Sequence, residues 1–171
     1  INLYGSDIII GNNKIREKKI FAADQDIIDV MELTLLSGNP NKVLISNKSA
    51  LVSKNITDTY FKGVSPVGKL LKITIGGDEL FLKIEGVYSN QPNNARFRPD
   101  IIVNIDFALE NMDKYIPSLS GKDMGADFYA RAWYMCYFQT FVRVPDTSTV
   151  KIVQDLIDSY RANKYKADLG I

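Results

Sequence analysis

The alternation of apolar and polar residues is clearest in the segment between residues 71 and 88. Residues 71–75 alternate between aliphatic and polar side chains, so one face of this strand is apolar. Residues 80–88 form a second apolar run, and the Gly76-Gly77-Asp78 segment before it is typical of a hairpin turn. Gly86 interrupts the second strand, which predicts a bulge or bend at that position.

The segment before this hairpin starts with an apolar run and ends in a turn. Val43-Leu44-Ile45-Ser46 predicts a buried strand whose final serine caps the helix that follows it. That helix leads to Tyr60. Pro66 presets one backbone dihedral and Gly68 accepts an unusual one, so together they predict a tight turn.

The first forty residues predict two short strands and a short helix. Residues 7–10 are apolar after Asp7, and we expect this strand to form a hairpin with residues 18–22. Asp24 stands where a helix N-cap belongs. The apolar residues after it fall on one face of a short helix: Ile27, Ile28 and Met31. Residues 37–41, Ser-Gly-Asn-Pro-Asn, predict a loop.

Two further strands are predicted in the second half of the chain. Residues 100–105 form a buried strand, after which Asp106 caps a helix over residues 107–112. Residues 112–126 are rich in Ser, Gly, Asp and Lys and predict an irregular insertion. Residues 129–144 are the most aromatic part of the chain, and their apolar side chains fall on both faces of a strand, which is typical of a central or covered strand.

The chain closes with an amphipathic helix. Residues 145–148, Pro-Asp-Thr-Ser, are expected to end the aromatic strand and cap this helix. Apolar residues then recur at helical spacing through Tyr160, so we expect the helix to pack on a sheet. Residues 164–171 are expected to fray. These elements together predict an α+β fold, with a mixed or antiparallel sheet and helices mainly on one face.

Composition narrows the class of protein. The 171 residues are enough for one domain, or a domain with a subdomain, and the 46% apolar and 24% charged residues are ordinary for a globular fold. A net charge of +1 argues against a nucleic-acid partner, which requires a clustered basic surface. No apolar run approaches the roughly 18 residues that would span a membrane, and no signal peptide opens the chain.

The residues available for chemistry predict a protein that is not an enzyme. The chain has no histidine and one cysteine, Cys136, which removes the usual nucleophile pairs and the commonest zinc ligand. Gly76-Gly77 is not followed by the Gly-Lys-Ser/Thr of a phosphate loop. Acidic pairs such as Asp123 with Asp127 are expected to be solvated loop residues. We therefore predict no catalytic residue, no cofactor and no metal site.

Two groups of residues are candidates for contacts with a partner. Arg96, Phe97 and Arg98 lie in the polar segment that begins at Ser89, although such a segment can equally be a surface loop whose arginines pair locally. Trp133 and Tyr137 lie in the aromatic strand. They can form a binding surface or simply part of an aromatic sheet core.

The order of several short motifs resembles a known family. The chain resembles the periplasmic core domain of MacB/FtsX-type ABC transporter permeases over residues 20–105. The resemblance rests on the following segments: Phe21-Ala22-Ala23-Asp24, Leu35-Leu36-Ser37-Gly38-Asn39, Ile45-Ser46, Tyr60-Phe61-Lys62-Gly63, Ser65-Pro66-Val67-Gly68-Lys69, Glu85-Gly86-Val87, Pro92 to Phe97, and Asp100 to Val103. One departure is the distance from Ser46 to Tyr60, which is longer than the family's usual spacing.

This resemblance implies a place in a larger protein. The whole chain is then one extracytoplasmic MacB-like core domain, a porter-like lobe with an inserted second lobe over residues 60–130, excised from between two transmembrane helices. It implies attachment to the cell membrane, with the domain on the periplasmic or extracellular side. The implied partners are an ABC ATPase subunit or domain, a second permease protomer forming a dimer, and an adaptor, peptide or lipoprotein.

Two functions remain open at this point. The first is a non-catalytic domain that couples ATP-driven movement of transmembrane helices to export or mechanical work outside the membrane. The alternative is an extracytoplasmic module that binds a peptide, a lipoprotein or an adaptor. In either case ATP hydrolysis belongs to the associated ABC subunit and not to this domain.

Overall fold

The described part of the protein comprises residues 7–10, 13–15, 19–75, 77–111 and 139–169 of a computed structural model. The chain divides into two compact units, Ile1–Gln139 and Thr140–Ile171. The described residues of the first unit form a β-sheet and three short helices. The second unit contains one long helix.

The strands and helices follow one another in a mixed order. The strands are β1 (Asp7–Ile10), β2 (Asn13–Ile15), β3 (Ile20–Ala23), β4 (Leu35–Gly38), β5 (Ser49–Ser53), β6 (Leu70–Ile75), β7 (Asp78–Tyr88) and β8 (Ile101–Asn104). The helices are α1 (Ile27–Val30), α2 (Lys54–Tyr60), α3 (Ile105–Glu110) and α4 (Thr147–Leu169).

All eight strands found in the described residues belong to a single mixed sheet. Seven of them follow the order β2-β1-β6-β7-β5-β8-β3, and β4 pairs with β7 beside this path. The pairs β5/β7 and β3/β8 are parallel, whereas the other pairs are antiparallel. The predicted α+β class with a mixed sheet is therefore confirmed. The described residues show no second lobe, and the inserted lobe stays a prediction.

The centre of the sheet is buried on both faces. Along β5, Ala50 and Val52 join one apolar cluster while Leu51 between them joins another, as expected when alternate side chains point to opposite faces. Helices α2 and α3 contribute Ile56 and Phe107 to the first cluster. Helix α1 and the segment around residues 43–44 contribute to the second. The described helices of this unit thus cover both faces, two on one and one on the other.

The hairpin predicted from the alternating pattern is confirmed. Strand β6 pairs antiparallel with β7 from Leu70↔Lys83 to Ile75↔Asp78. The predicted bulge is also present, since the β5/β7 register advances by two residues on β7, from Ile84 to Gly86, for one residue on β5. The expected turn before β6 closes with the Lys69 N–H donating to the Pro66 carbonyl at 3.0 Å.

The strand predicted at residues 43–46 is wrong. Residues 41–44 form a turn, and Leu44 has a φ of 58°, which a strand cannot accommodate. Val43 and Leu44 are nevertheless buried, because they pack in the apolar cluster on one face of the sheet. The strand that meets a helix is β5, and the capping serine is Ser53, whose hydroxyl accepts from the Ile56 N–H at 3.3 Å.

The pairing predicted for the first strand is also wrong. Strand β1 pairs with β2 and β6, whereas β3, which contains most of the expected hairpin partner, lies parallel to β8. A local pattern cannot distinguish these arrangements, because the β3/β8 pair joins residues about eighty positions apart. The loop predicted at residues 37–41 also begins later, since Ser37 and Gly38 belong to β4.

Two helix caps lie two residues away from their predicted positions. Helix α1 begins after Asp26 and has no side-chain cap, whereas Asp24 was the expected cap. Helix α3 is capped by Asn104, whose side chain accepts from the Asp106 N–H at 2.7 Å. Asp106 therefore lies in the first turn, where its charge still complements the positive end of the helix.

The second unit confirms a predicted helix and corrects the strand expected before it. Residues 139–144 have no regular secondary structure, so the strand predicted over residues 129–144 is absent at its described end. Asp146 caps α4, with its Oδ1 accepting from the Thr149 N–H at 3.0 Å. The helix continues to Leu169, beyond the residue 164 at which fraying was expected. The packing of this helix on a sheet stays a prediction.

Candidate partner-contact surfaces

The loop between β7 and β8, residues 89–99, is fixed at its beginning by two hydrogen bonds. The Ser89 N–H donates to the Thr34 carbonyl at 2.9 Å. The Asn90 Oδ1 accepts from the Asn55 N–H at 2.8 Å, which satisfies a backbone donor in the first turn of α2. The loop therefore starts from a fixed point between α2 and the segment leading into β4.

The end of the same loop is fixed by a buried tyrosine. The Tyr88 hydroxyl donates to the Pro99 carbonyl at 2.9 Å, and the ring is fully buried. Burial, and next the negative charge of Asp100, raises the pKa of Tyr88 well above its ordinary value of 10.0. The Asp100 N–H donates to the Lys19 carbonyl at 2.8 Å. Tyr88 is thus a neutral structural donor, and the loop returns to the sheet beside the start of β3.

The three loop residues predicted as partner contacts have different surroundings. Arg98 donates to the Asn93 carbonyl at 3.1 Å and to the Asn93 Oδ1 at 3.0 Å, which is the local pairing considered as its alternative role. Phe97 packs edge-on against Phe21 with the ring centroids 5.1 Å apart. Arg96 is exposed. Of these three side chains, Arg96 therefore presents its charge to solvent.

The other predicted contact residues, Trp133 and Tyr137, lie outside the described residues. The same is true of Cys136, Asp123 and Asp127. Their expected roles stay predictions.

The segment that connects α2 to β6 forms a second surface. The sequence predicted only a turn in this segment. We call residues 60–70 the motif turn, because it contains the Tyr-Phe-Lys-Gly and Ser-Pro-Val-Gly-Lys motifs. The Lys69 Nζ lies 5.4 Å from the centroid of the buried Phe61 ring, within the range of a cation–π contact. The Gly68 N–H donates to the Ile84 carbonyl at 2.7 Å. The two motifs therefore contact each other, and the turn is attached to β7.

The motif turn exposes apolar side chains. Val64 is 56% exposed, Val67 38% and Leu70 63%, and Phe81 on the adjoining strand is 52% exposed. The sequence pattern did not indicate this surface, because isolated aliphatic residues in a turn do not reveal which way they point. Exposure of one such residue is ordinary, whereas a cluster of them is a feature of interaction surfaces.

Neither surface contains a cluster of metal-binding side chains among its described residues. In the described segments, no group of three or more His, Cys, Asp or Glu residues lies close enough together to hold a metal ion. No helix among those same residues combines the length and the apolar character needed to cross a bilayer. What these surfaces offer chemically is hydrogen bonding, positive charge and apolar contact area, which suits binding.

Comparison with known proteins supports a permease domain. A domain of a protein described as a permease, from Porphyromonas gingivalis, superposes with a TM-score of 0.53 at 25% identity, covering 62% of this chain and 48% of that one. The chain shares the fold of that permease domain. The likeness to a permease domain seen in the ordered motifs is thereby confirmed at the level of the fold.

Two further solved structures align less closely. The periplasmic region of MacB from Actinobacillus actinomycetemcomitans gives a TM-score of 0.49 at 18% identity, over 65% of this chain and 49% of that one. The extracellular domain of the noncanonic ABC-type transporter YknZ from Gram-positive bacteria gives 0.47 at 16% identity, over 64% and 55%. The chain thus spans about half the length of the solved domains. No protein-family model matches the chain, and no curated protein matches it.

Proposed function

We propose that the chain is the extracytoplasmic domain of an ABC transporter permease and couples movement of transmembrane helices to work outside the membrane. The observation that carries this proposal is the fold shared with the Porphyromonas gingivalis permease domain. The ordered motifs from Phe21 to Val103 support it independently of the superposition. The other domains, partners and substrates of the whole protein belong to the same proposal.

The construction of the sheet is suited to transmitting a displacement. Strands β5, β7 and β8 are adjacent, and the core residues of β5 and β8 are fully buried. Densely packed interiors deform little, so they pass on strain rather than absorb it. A helix displacement of an ångström or two at one end of such a sheet would reach the other end as a rigid-body movement.

The first experiment concerns the parent protein. We expect its gene to encode an apolar span of about 20 residues before this domain and further spans after it. Cysteine labelling from outside intact cells, at an exposed position such as Arg96→Cys, should modify the domain with a membrane-impermeant reagent. A parent protein that fractionates with the cytosol, or labelling only after lysis, would overturn the proposal.

The second experiment concerns nucleotide. Because ATP hydrolysis is assigned to a separate ABC subunit or domain, the purified domain should show no heat of ATP binding by titration calorimetry. Measurable, saturable binding would contradict the assignment.

A second candidate function, capture of a peptide, lipoprotein or adaptor, is favoured by the exposed apolar and cationic side chains on these surfaces. Substituting Trp133 or Tyr137 with Ala should weaken capture without unfolding the domain if the aromatic segment binds. Arg96→Ala should do the same if the loop binds. A substitution that only lowers the free energy of unfolding would favour a structural role.

A further inference from the structure

The motif turn and the adjoining β6/β7 hairpin expose four apolar side chains, those of Val64, Val67, Leu70 and Phe81. Leu70 lies opposite Lys83 and Phe81 lies opposite Lys72 in the antiparallel register, so the two exposed apolar side chains are diagonal neighbours on one sheet face. Val67 lies three residues before Leu70 in the closed turn. The exposed apolar residues are therefore grouped and not scattered.

The charge along the motif turn has one sign, and the nearby carboxylates of Glu79 and Glu85 on β7 form ion pairs with Lys72 and Lys83. Between Asp58 and Asp78 the sequence contains no acidic residue and three lysines, Lys62, Lys69 and Lys72. Lys72 forms an ion pair with Glu79, whereas Lys62 and Lys69 form no ion pair with any residue in the described ranges. Two cations therefore flank the apolar side chains without neutralisation from the described protein surface.

The turn is preorganised and uncovered. The bond from Gly68 to the Ile84 carbonyl and the bond from Lys69 to Pro66 hold its backbone. A Cβ atom built on Gly68 would meet no atom within 4 Å, so the space at this position of the turn is open. A surface held in its binding conformation loses little conformational entropy when a partner docks.

We propose that the motif turn is a docking surface for a protein partner whose matching surface is apolar at its centre and acidic at its rim. Lys62 and Lys69 supply the complementary charge, and Val64, Val67, Leu70 and Phe81 supply the apolar contact. This arrangement is the usual one of an apolar interface core with a polar rim.

The direction of the strands favours a protein over the bilayer as the occupant. Strand β1 begins at Asp7 beside Thr74, near the far end of β6 from the motif turn. In the permease proposed above, the chain enters the described sheet through β1, so the motif turn lies at the opposite end of β6 from this point of entry. This step rests on the proposed function, whereas the chemistry of the surface does not.

The test uses the full-length protein in its native membranes, with a photoreactive amino acid placed at Val67. Leu36 on β4 is the matched control position, because it is an aliphatic residue of similar exposure, 51%, with no lysine within five residues on either side of it in the sequence. We expect a discrete protein adduct from Val67 that exceeds the Leu36 background. Peptide sequencing of the adduct should place the cross-link in a segment rich in Asp or Glu.

Reversing the charge of the two lysines then tests whether electrostatic attraction contributes to docking. Lys62→Glu with Lys69→Glu should lower the Val67 adduct about 10-fold, at the lower end of what electrostatic steering supplies, and raising the salt to 1 M should act in the same direction. Lys42→Glu with Lys151→Glu, at two exposed lysines elsewhere, should leave it unchanged. Because Lys69 contacts Phe61, the Lys62→Glu single variant provides the same comparison with the cation–π contact intact.

Each contrary outcome overturns the docking proposal. These outcomes are no protein adduct above the Leu36 control, an adduct unaffected by charge reversal, a contact segment without acidic residues, or a lipid adduct, which would assign the surface to the membrane. Failure of the proposed function has a separate signature, because the parent protein would then be missing from the membrane fraction whatever the cross-linking shows.

Discussion

The close pairing of β4 with β7 permits a quantitative test of the packing. In this antiparallel pair Gly38 lies opposite Gly86. A Cβ atom on Gly86 would lie 2.8 Å from the Leu51 Cδ2 and 2.9 Å from the Ser37 carbonyl oxygen. One on Gly38 would lie 2.5 Å from the Glu85 carbonyl oxygen, and Gly38 also has a φ of 104°. Gly86 is thus required by the available space, and Gly38 by both the available space and the backbone conformation.

Three alanine substitutions separate these two causes. Gly68 has a φ of 87° but open space around it, so Gly68→Ala should cost about 1 kcal/mol from backbone strain alone. Gly86→Ala should cost about 1–3 kcal/mol from overpacking against Leu51 and a backbone oxygen. Gly38→Ala combines both terms, about 2–4 kcal/mol. Alanine also restricts the unfolded chain, which offsets each cost by about 0.4–1 kcal/mol.

The assay is urea unfolding of the purified protein followed by far-ultraviolet circular dichroism. The midpoint should fall in the order Gly68→Ala, Gly86→Ala, Gly38→Ala, with an unchanged slope, because the surface exposed on unfolding stays the same. If Gly38→Ala unfolded at the same urea concentration as Gly68→Ala, the close approach of β4 to β7 would be refuted. A neutral Gly86→Ala would refute the contact with Leu51.

Three further predictions concern hydrogen bonds. Asn104→Ala should lower the free energy of unfolding by about 2–3 kcal/mol in urea, because it removes the α3 cap and leaves the buried Leu44 carbonyl without its donor at 2.6 Å. The raised pKa of Tyr88 adds to the free energy of unfolding, and this contribution is complete below pH 10.0. Above that pH the contribution falls by up to about 1.4 kcal/mol per pH unit. Tyr88→Phe should therefore show a smaller loss of stability at alkaline pH. Equal alkaline slopes for the two proteins would contradict this. Hydrogen bonds, first from Ser148, lower the pKa of Asp146 below 3.8, so α4 helicity measured by circular dichroism should fall below that pH in the native chain but not in Asp146→Ala.

The periodic part of the fold could be predicted from the sequence, whereas the ambiguous apolar runs could not. The β6/β7 hairpin has a long alternation and a glycine turn, and both the strands and the bulge at Gly86 are found. Val43 to Ser46 and Ala50 to Ser53 are both short apolar runs ending in serine, and periodicity does not separate them. The signal that could have separated them was the excess length from Ser46 to Tyr60, since Ser53 lies seven residues closer.

The burial of residues 43–44 depends on a contact that is distant in the sequence, so local propensity cannot predict it. Leu44 is 2% exposed in a left-handed conformation, which costs about 1–2 kcal/mol for a residue other than glycine. Its carbonyl accepts from the Asn104 side chain, and the same amide caps α3 through its oxygen. One buried asparagine therefore holds the turn against β8, and its partners lie sixty and two residues away. A prediction confined to neighbouring residues cannot include the first of these bonds.

The motif turn also depends on contacts that the sequence alone did not reveal. Two of the motifs that carried the family resemblance, Tyr60 to Gly63 and Ser65 to Lys69, were separate in the sequence analysis. Their contact through Phe61 and Lys69 depends on where α2 ends and β6 begins. That contact has two consequences. It places the Lys69 ammonium over a buried ring, and it joins the two ends of a segment in which Val64 and Val67 are exposed. If the docking proposal is correct, the residues that stabilise the turn and the residues that bind the partner are different members of the same motifs, so substitutions at Phe61 should change stability first and substitutions at Val67 should change binding alone.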